Sequence, residues 1–195
     1  GVNTYSGTNP PFLPPTVINL GTLEVSNGSA LGSGAIQLNA FSGLVGTLAI
    51  NGVSLSNNVA TLNAPGTNVI KSISTTNAST LSGTISATGK PMTFSTAADS
   101  KLVLSGTLNA GTMQEKFTPA SGGEVQITGP ITSFAGSTLT LDGPGKLTLA
   151  GNNSAGNFAL QYAANNTGTI RLASDTALGR STIGITVPEG ATLEL

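Results

Sequence analysis

The sequence predicts an all-β parallel solenoid, a single-stranded parallel β-helix of about 23 residues per coil. Three observations carry this. Short apolar-x-apolar runs recur along the chain, each placing its aliphatic pair on one side and the residue between them on the other. The later runs begin at Leu102, Val125, Leu147, Ile170 and Leu193, a near-constant spacing of about 23 residues, which suits one solenoid coil. Helical periodicity is nearly missing: the one helical candidate is Phe158-Ala-Leu-Gln-Tyr-Ala-Ala-Asn165, which has Asn-rich flanks and no caps. A β-sandwich also spaces its strands regularly, but it has no reason to hold one register over five units.

The strands follow in order. Leu23-Glu-Val25, Ile36-Gln-Leu38 and Leu48-Ala-Ile50 open the series. Leu102-Val-Leu104, Val125-Gln-Ile127, Leu139-Thr-Leu141, Leu147-Thr-Leu149, Ile170-Arg-Leu172 and Leu193-Glu-Leu195 continue it. Most middle residues are Thr, Glu, Gln or Arg, so one side is wet, and Gly, Asn, Pro or Ser ends nearly every run. A degenerate unit, Ser79-Thr-Leu81-Ser-Gly83, lies one such spacing before Leu102. The longer interval from Leu48 to Ser79 reads as a coil with an insertion near Asn57-Asn58 or Ala64-Pro-Gly66. Small or turn-tolerant residues close the units at Asn27, Gly52, Gly83, Gly106, Gly129, Gly151 and Ser174, which suits a repeated tight bend. Stacking at about 4.8 Å per coil gives a rod of roughly 34 Å. The Pro-rich stretch Asn9-Pro-Pro-Phe-Leu-Pro-Pro15 cannot donate to a ladder, so 9–15 is expected as an excursion whose Phe12 and Leu13 fold back to cap the adjacent coil.

Composition narrows the function. The 195 residues suffice for one domain with a core, and 1–195 is read as a single solenoid segment cut from a longer array. Only 8% of residues are charged, against roughly 25% in ordinary domains. Seven Lys and Arg against eight Asp and Glu leave no basic footprint for nucleic acid. Gly, Thr, Ser and Asn make up nearly half of the chain, yet 38% of it is hydrophobic, so it folds instead of behaving as a linker. No apolar run approaches the ~20 residues of a membrane-spanning helix. With no His and no Cys, imidazole acid–base chemistry, thiol nucleophiles and the usual zinc ligands are absent, and no cofactor or metal is expected. A chain without Cys also fits export in an unfolded state.

The acids are Glu24, Asp99, Glu115, Glu124, Asp142, Asp175, Glu189 and Glu194. Glycoside hydrolysis needs two carboxylates about 5–10 Å apart. Asp142 falls near Glu124, but no second acid has the register for a dyad, so no catalytic residue is assigned. Arg171 and Glu194 lie one coil apart and are expected to stack as a surface ion pair worth ~0–1 kcal/mol. Gly122-Gly-Glu124 fails the calcium nonapeptide. Gly143-Pro-Gly-Lys146 is followed by Leu147, so it is a turn and not a phosphate loop. Thr138, Thr140 and Thr148 point outward, but with Glu24, Gln126, Arg171 and Glu194 assigned to the same column no threonine ladder is expected. The Asn-x-Ser/Thr sequons at Asn27, Asn77, Asn152 and Asn165 are what chance produces in a chain this rich in Asn, Ser and Thr.

One longer match joins the two ends. Gly21-Thr-Leu-Glu-Val-Ser-Asn-Gly-Ser-Ala-Leu-Gly32 aligns without a gap on Gly168-Thr-Ile-Arg-Leu-Ala-Ser-Asp-Thr-Ala-Leu-Gly179, identical at five of twelve positions. Upstream, Gly1–Asn9 lines up with Gly151–Asn157. The order of strand, Gly-x-Asn-Ser/Thr, loop, Gly-Thr-Leu/Ile and Ala-Leu-Gly resembles the autotransporter-associated β-strand repeat of bacterial surface and type V secreted proteins. The resemblance implies a right-handed β-helix, export through the outer membrane, and display at or release from the cell surface. It implies no catalytic residue. The expected role is a structural or adhesive rod segment: an extracellular spacer or a self-associating surface element, whose partners are adjacent coils and further copies meeting at an end or a side face. Direct binding of a glycan by a side face is the alternative, and a polysaccharide-degrading enzyme comes third. Neither nucleic-acid binding nor membrane insertion is expected.

Overall fold

The computed structural model describes residues 16–62, 65–87, 90–111, 114–133, 136–163, 166–180 and 185–195. The Pro-rich stretch 9–15 and the upstream match at Gly1–Asn9 lie outside the described residues. The strands, in chain order, are β1 (Thr16–Ile18), β2 (Gly21–Val25), β3 (Ile36–Leu38), β4 (Val45–Ile50), β5 (Ser54–Leu55), β6 (Val59–Thr61) and β7 (Thr67–Ser72). There follow β8 (Ser79–Leu81), β9 (Ile85–Ser86), β10 (Met92–Thr96), β11 (Lys101–Leu104), β12 (Leu108–Gly111), β13 (Gln114–Pro119) and β14 (Glu124–Ile127). The last are β15 (Ile131–Ser133), β16 (Ser137–Leu141), β17 (Lys146–Leu149), β18 (Phe158–Tyr162), β19 (Thr169–Leu172) and β20 (Thr192–Glu194).

The central turns visit three faces in rotation, the first and last turns lack a strand on one or more faces, and each strand pairs in parallel with its neighbour in the adjoining turn. The first face stacks β1, β3, β6, β9, β12 and β15. The second stacks β2, β4, β7, β10, β13, β16 and β18. The third stacks β5, β8, β11, β14, β17, β19 and β20. The molecule is therefore a parallel β-solenoid of about seven turns, as the period predicts. Six intervals of ~4.8 Å make the second face roughly 29 Å long. The longer expectation of ~34 Å comes from counting units of two faces as one series.

Alternation within each strand builds the interior. On the third face Leu55, Leu81, Leu104, Ile127, Leu149 and Leu172 lie in register from coil to coil. On the second, Leu23, Leu48, Ile70, Phe94, Phe117, Leu141 and Tyr162 do the same. Phe94 and Phe117 stack with ring centroids 5.2 Å apart. The first face adds Ile36, Val59, Ile85, Leu108 and Ile131; the three columns form one continuous buried cluster, with the end residues Leu23 and Leu172 half-buried against it. No coil can bury its own apolar side, and stacking closes the core.

The one helical candidate resolves as strand, in keeping with the all-β reading, and two expectations need correction. Phe158–Tyr162 is strand, not helix: Phe158, Leu160 and Tyr162 alternate inward beside Ser137, Leu139 and Leu141. The long interval from Leu48 to Ser79 contains no insertion. Leu23 and Leu48 belong to the second face, whereas Ser79 and Leu102 belong to the third, so the interval crosses faces. On each face the stacked positions stay close to one coil apart, from the shorter step between Thr16 and Ile36 to the longer one between Ser54 and Thr80. The closing residues also divide. Gly52 has φ 66° and follows the second face. Gly83, Gly106, Gly129 and Gly151 stack at the corner between the third and first faces, and there the reason for glycine is close approach, not positive φ. A Cβ at Gly106 would lie well under 3.0 Å from the Gly83 carbonyl, and Gly129 and Gly151 each meet the glycine of the coil before in the same way. Ser174 ends this column by donating its hydroxyl to the Gly151 carbonyl at 3.2 Å.

The matched segments adopt one local structure at two places. Gly21–Val25 leads into a turn in which Ala30 and Gly32 donate to the Asn27 and Ser29 carbonyls. Thr169–Leu172 leads into a turn in which Ala177 and Gly179 donate to Ser174 and Thr176. Gly32 and Gly179 have φ 57° and 63°. The first strand lies on the second face and the other on the third, so the motif encodes a strand and its turn, not a position in the coil.

Candidate functional site

The outward side of the second face carries a long polar column, matched in length by one on the third face. Thr22, Thr47, Val69, Thr93, Lys116, Thr140 and Gln161 form one column in register. Beside it run Glu24, Ala49, Lys71, Ser95 and Thr118. Two shallow depressions follow these columns. One, of about 430 Å³, spans Thr22 and Glu24 to Thr118. The other, of about 560 Å³, is lined by Thr67, Lys90, Pro91, Gln114, Lys116, Thr140 and Gln161. Thr93 lines both, so the two meet there as one shallow trough that crosses the face obliquely, with no aromatic side chain in its lining.

This corrects the expected column. Thr140 belongs to the second face with Glu24, while Thr148, Gln126, Arg171 and Glu194 form a column of the third. A β-helix with three faces has a separate set of columns on each, and a single coil-length frame merges them. Four threonines of the second-face column then emerge together.

Charge is arranged differently on the two faces. On the third, Lys101 pairs with Glu124 at 2.9 Å, Lys146 with Glu194 at 3.1 Å, and Arg171 with Glu194 at 3.9 Å, as expected for Arg171 and Glu194. Burial works to raise the Glu124 pKa, but hydrogen bonds from Thr148 and Lys101 and the charges of Lys101 and Lys146 outweigh it and hold the carboxyl below its usual range. On the second face Lys116 pairs with Asp142 at 2.5 Å and Glu24 accepts from Asn51 at 2.9 Å. Lys71 and Lys90, both half-buried in the trough lining, have no ion pair among the described residues.

Glu115 is the residue that sequence reasoning passed over. It occupies an inward position of β13 two residues before Phe117 and is fully buried at the edge of the trough. Its Oε2 accepts from the Met92 amide at 2.7 Å, and its Oε1 has no partner among the described residues. Burial pushes its pKa up to about 8, against the lowering effect of the Met92 hydrogen bond. The signal was present in the alternation, because Glu115 shares the parity of Phe117. The other acids stand apart: Asp99 occupies a turn with φ 55°, and Asp175 lies in the turn after β19. Among the described residues no three acids gather at metal-binding distance. Gly143–Gly145 form the turn between β16 and β17, with the Gly145 amide donating to Pro119 at 3.0 Å. The sequon at Asn165 lies outside the described residues.

Comparison with known proteins returned no match to a family model, to a curated protein or to a solved structure.

Proposed function

We propose that this chain is a rigid rod segment of a bacterial cell-surface or secreted, autotransporter-like protein, working outside the cell as a spacer or a self-associating surface element and not as an enzyme. The observation that supports it most is the unbroken core: each coil rests its inner columns on the next, so stiffness runs along the axis without a hinge among the described strands. The low charge and the Ser, Thr and Asn skin agree with a hydrated spacer. The recurrence of one strand-and-turn motif at two sites agrees with a repeat-derived surface protein.

Sedimentation and small-angle scattering over a concentration series test this. With ~29 Å of stack the segment is about as wide as it is tall, so the spacer reading predicts a folded particle whose size stays constant over the series. Growth with concentration assigns the self-associating role, and a particle expanded well beyond a folded 195-residue domain overturns the rigid segment.

A further inference from the structure

We propose that the trough on the second face is a binding site for a linear glycan carrying carboxylates, with Lys71 and Lys90 as its charge contacts and the threonine column as its floor. This goes beyond the rod reading, which holds whether or not the face is occupied.

The argument starts from charge. Each lysine and arginine on the strands of the third face has an acidic partner, and so does Lys116, whereas Lys71 and Lys90 have none among the described residues. Both line the trough, one in each half. Lys71 lies opposite Ser95, and Lys90 precedes Ser95 by five positions. Lys71 sits within β7 and Lys90 just before the start of β10, so the two lie one coil apart and towards opposite ends of neighbouring strands. The lining holds two acids: Glu115 is buried and holds its proton at neutral pH, and Glu24, two strands from Lys71 in the same column, accepts from Asn51 and makes no ion pair with either lysine.

The rest of the lining selects the ligand class. Thr22, Thr47, Thr93, Thr140, Gln114 and Gln161 offer hydroxyls and amides along the trough, suited to hydrogen bonding with sugar hydroxyls. A protein partner would want aromatic or Arg anchors in a pocket, and the lining has neither. A nucleic acid would want many cations and stacking platforms. Two lysines without acidic partners match sparse carboxylates, while a densely sulfated chain would outnumber them.

Calorimetric titration of the full 195-residue chain at low ionic strength tests the assignment, using an oligogalacturonate, neutral dextran, heparin and a single-stranded oligonucleotide as probes. The oligogalacturonate is expected to bind and dextran not to bind. Lys71→Gln with Lys90→Gln should weaken binding about tenfold, from ~0.5–1 kcal/mol per exposed charge pair. Lys101→Gln with Lys146→Gln on the third face should leave it unchanged. Thr93→Tyr, which keeps both lysines and fills the middle of the trough, should also weaken it. Silence with the oligogalacturonate, equal uptake of dextran, tighter binding of heparin or the oligonucleotide, or equal losses in the two double variants overturns the proposal.

Discussion

Replacing Gly106 by Ala tests the close-approach account of the corner. The new methyl would meet the carbonyl oxygen of Gly83 and backbone atoms of Ser82, none of which belongs to a flexible side chain. Relief requires the two coils to part at the point where the Ser105 and Gly106 amides donate to the Leu81 carbonyl at 2.9 and 3.3 Å. Overpacking of this kind costs about 1–3 kcal/mol, and losing one net hydrogen bond adds about 1 kcal/mol, so Gly106→Ala should destabilise by roughly 2–4 kcal/mol. Gly34 is the control: its φ is ordinary and a Cβ there meets nothing within 4 Å. Gly34→Ala should be neutral or stabilise by about 0.4–1 kcal/mol through the unfolded chain. Urea unfolding followed by far-UV circular dichroism reads both as shifts in midpoint. If Gly106→Ala unfolds within ~0.5 kcal/mol of the parent, or if the two variants lose equally, the stacked-glycine explanation is wrong.

Four further outcomes follow from the geometry. Glu115 holds its proton up to about pH 8 when folded but releases it near 4.5 when unfolded, so folding takes up a proton between those limits. The contribution of Glu115 to stability is then full in acid and is lost as pH rises to about 8, a change on the order of 4 kcal/mol, whereas Glu124 acts the other way in acid. Glu115→Gln should remove the alkaline loss in unfolding titrations at pH 5 and 9. An unchanged loss would remove Glu115 as its source. Asn153 is fully buried, accepts from Ile131 and donates to Ala177, both at 2.9 Å, and so ties three successive turns; Asn153→Leu should cost about 2–4 kcal/mol in urea unfolding. Phe117→Ala opens the stacked pair in the core and should cost about 3–5 kcal/mol by the same measurement. Glu194→Gln removes the shared partner of Lys146 and Arg171 on the exposed face and should shift the midpoint by no more than ~1 kcal/mol.

The later coils were legible because the third face keeps a near-constant repeat. Leu102, Val125, Leu147, Ile170 and Leu193 occupy one column, and so the period read from them is a physical register. The early coils were harder. β5 has only Ser54–Leu55, too short to announce itself, so a frame drawn through the stronger runs at Leu23 and Leu48 puts them in the wrong column. The second face was obscured by its polar inward positions, since Asn68, Ser72 and Thr96 are buried where an apolar residue would have marked the strand. Ser72 and Ser79 are satisfied by each other and by Ile50, a solution that alternation alone does not reveal. The trough needed three faces to be separated first, because its threonines come from strands that a single frame interleaves with charged ones.

The direction of the hydrogen bonds has a mechanical consequence. Strands run around the solenoid, so the bonds between coils point along its axis. A force applied to the two chain ends along that axis loads one coil at a time, at its edge, instead of shearing whole sheets together. Each coil that lets go frees about 23 residues, which extend to roughly 80 Å at ~3.4 Å each. A molecule some ~29 Å tall would lengthen under tension in a series of similar steps, each releasing a length of chain more than twice that height. Stacked coils of this kind resist bending and compression through their core, and under tension they give up slack in measured portions.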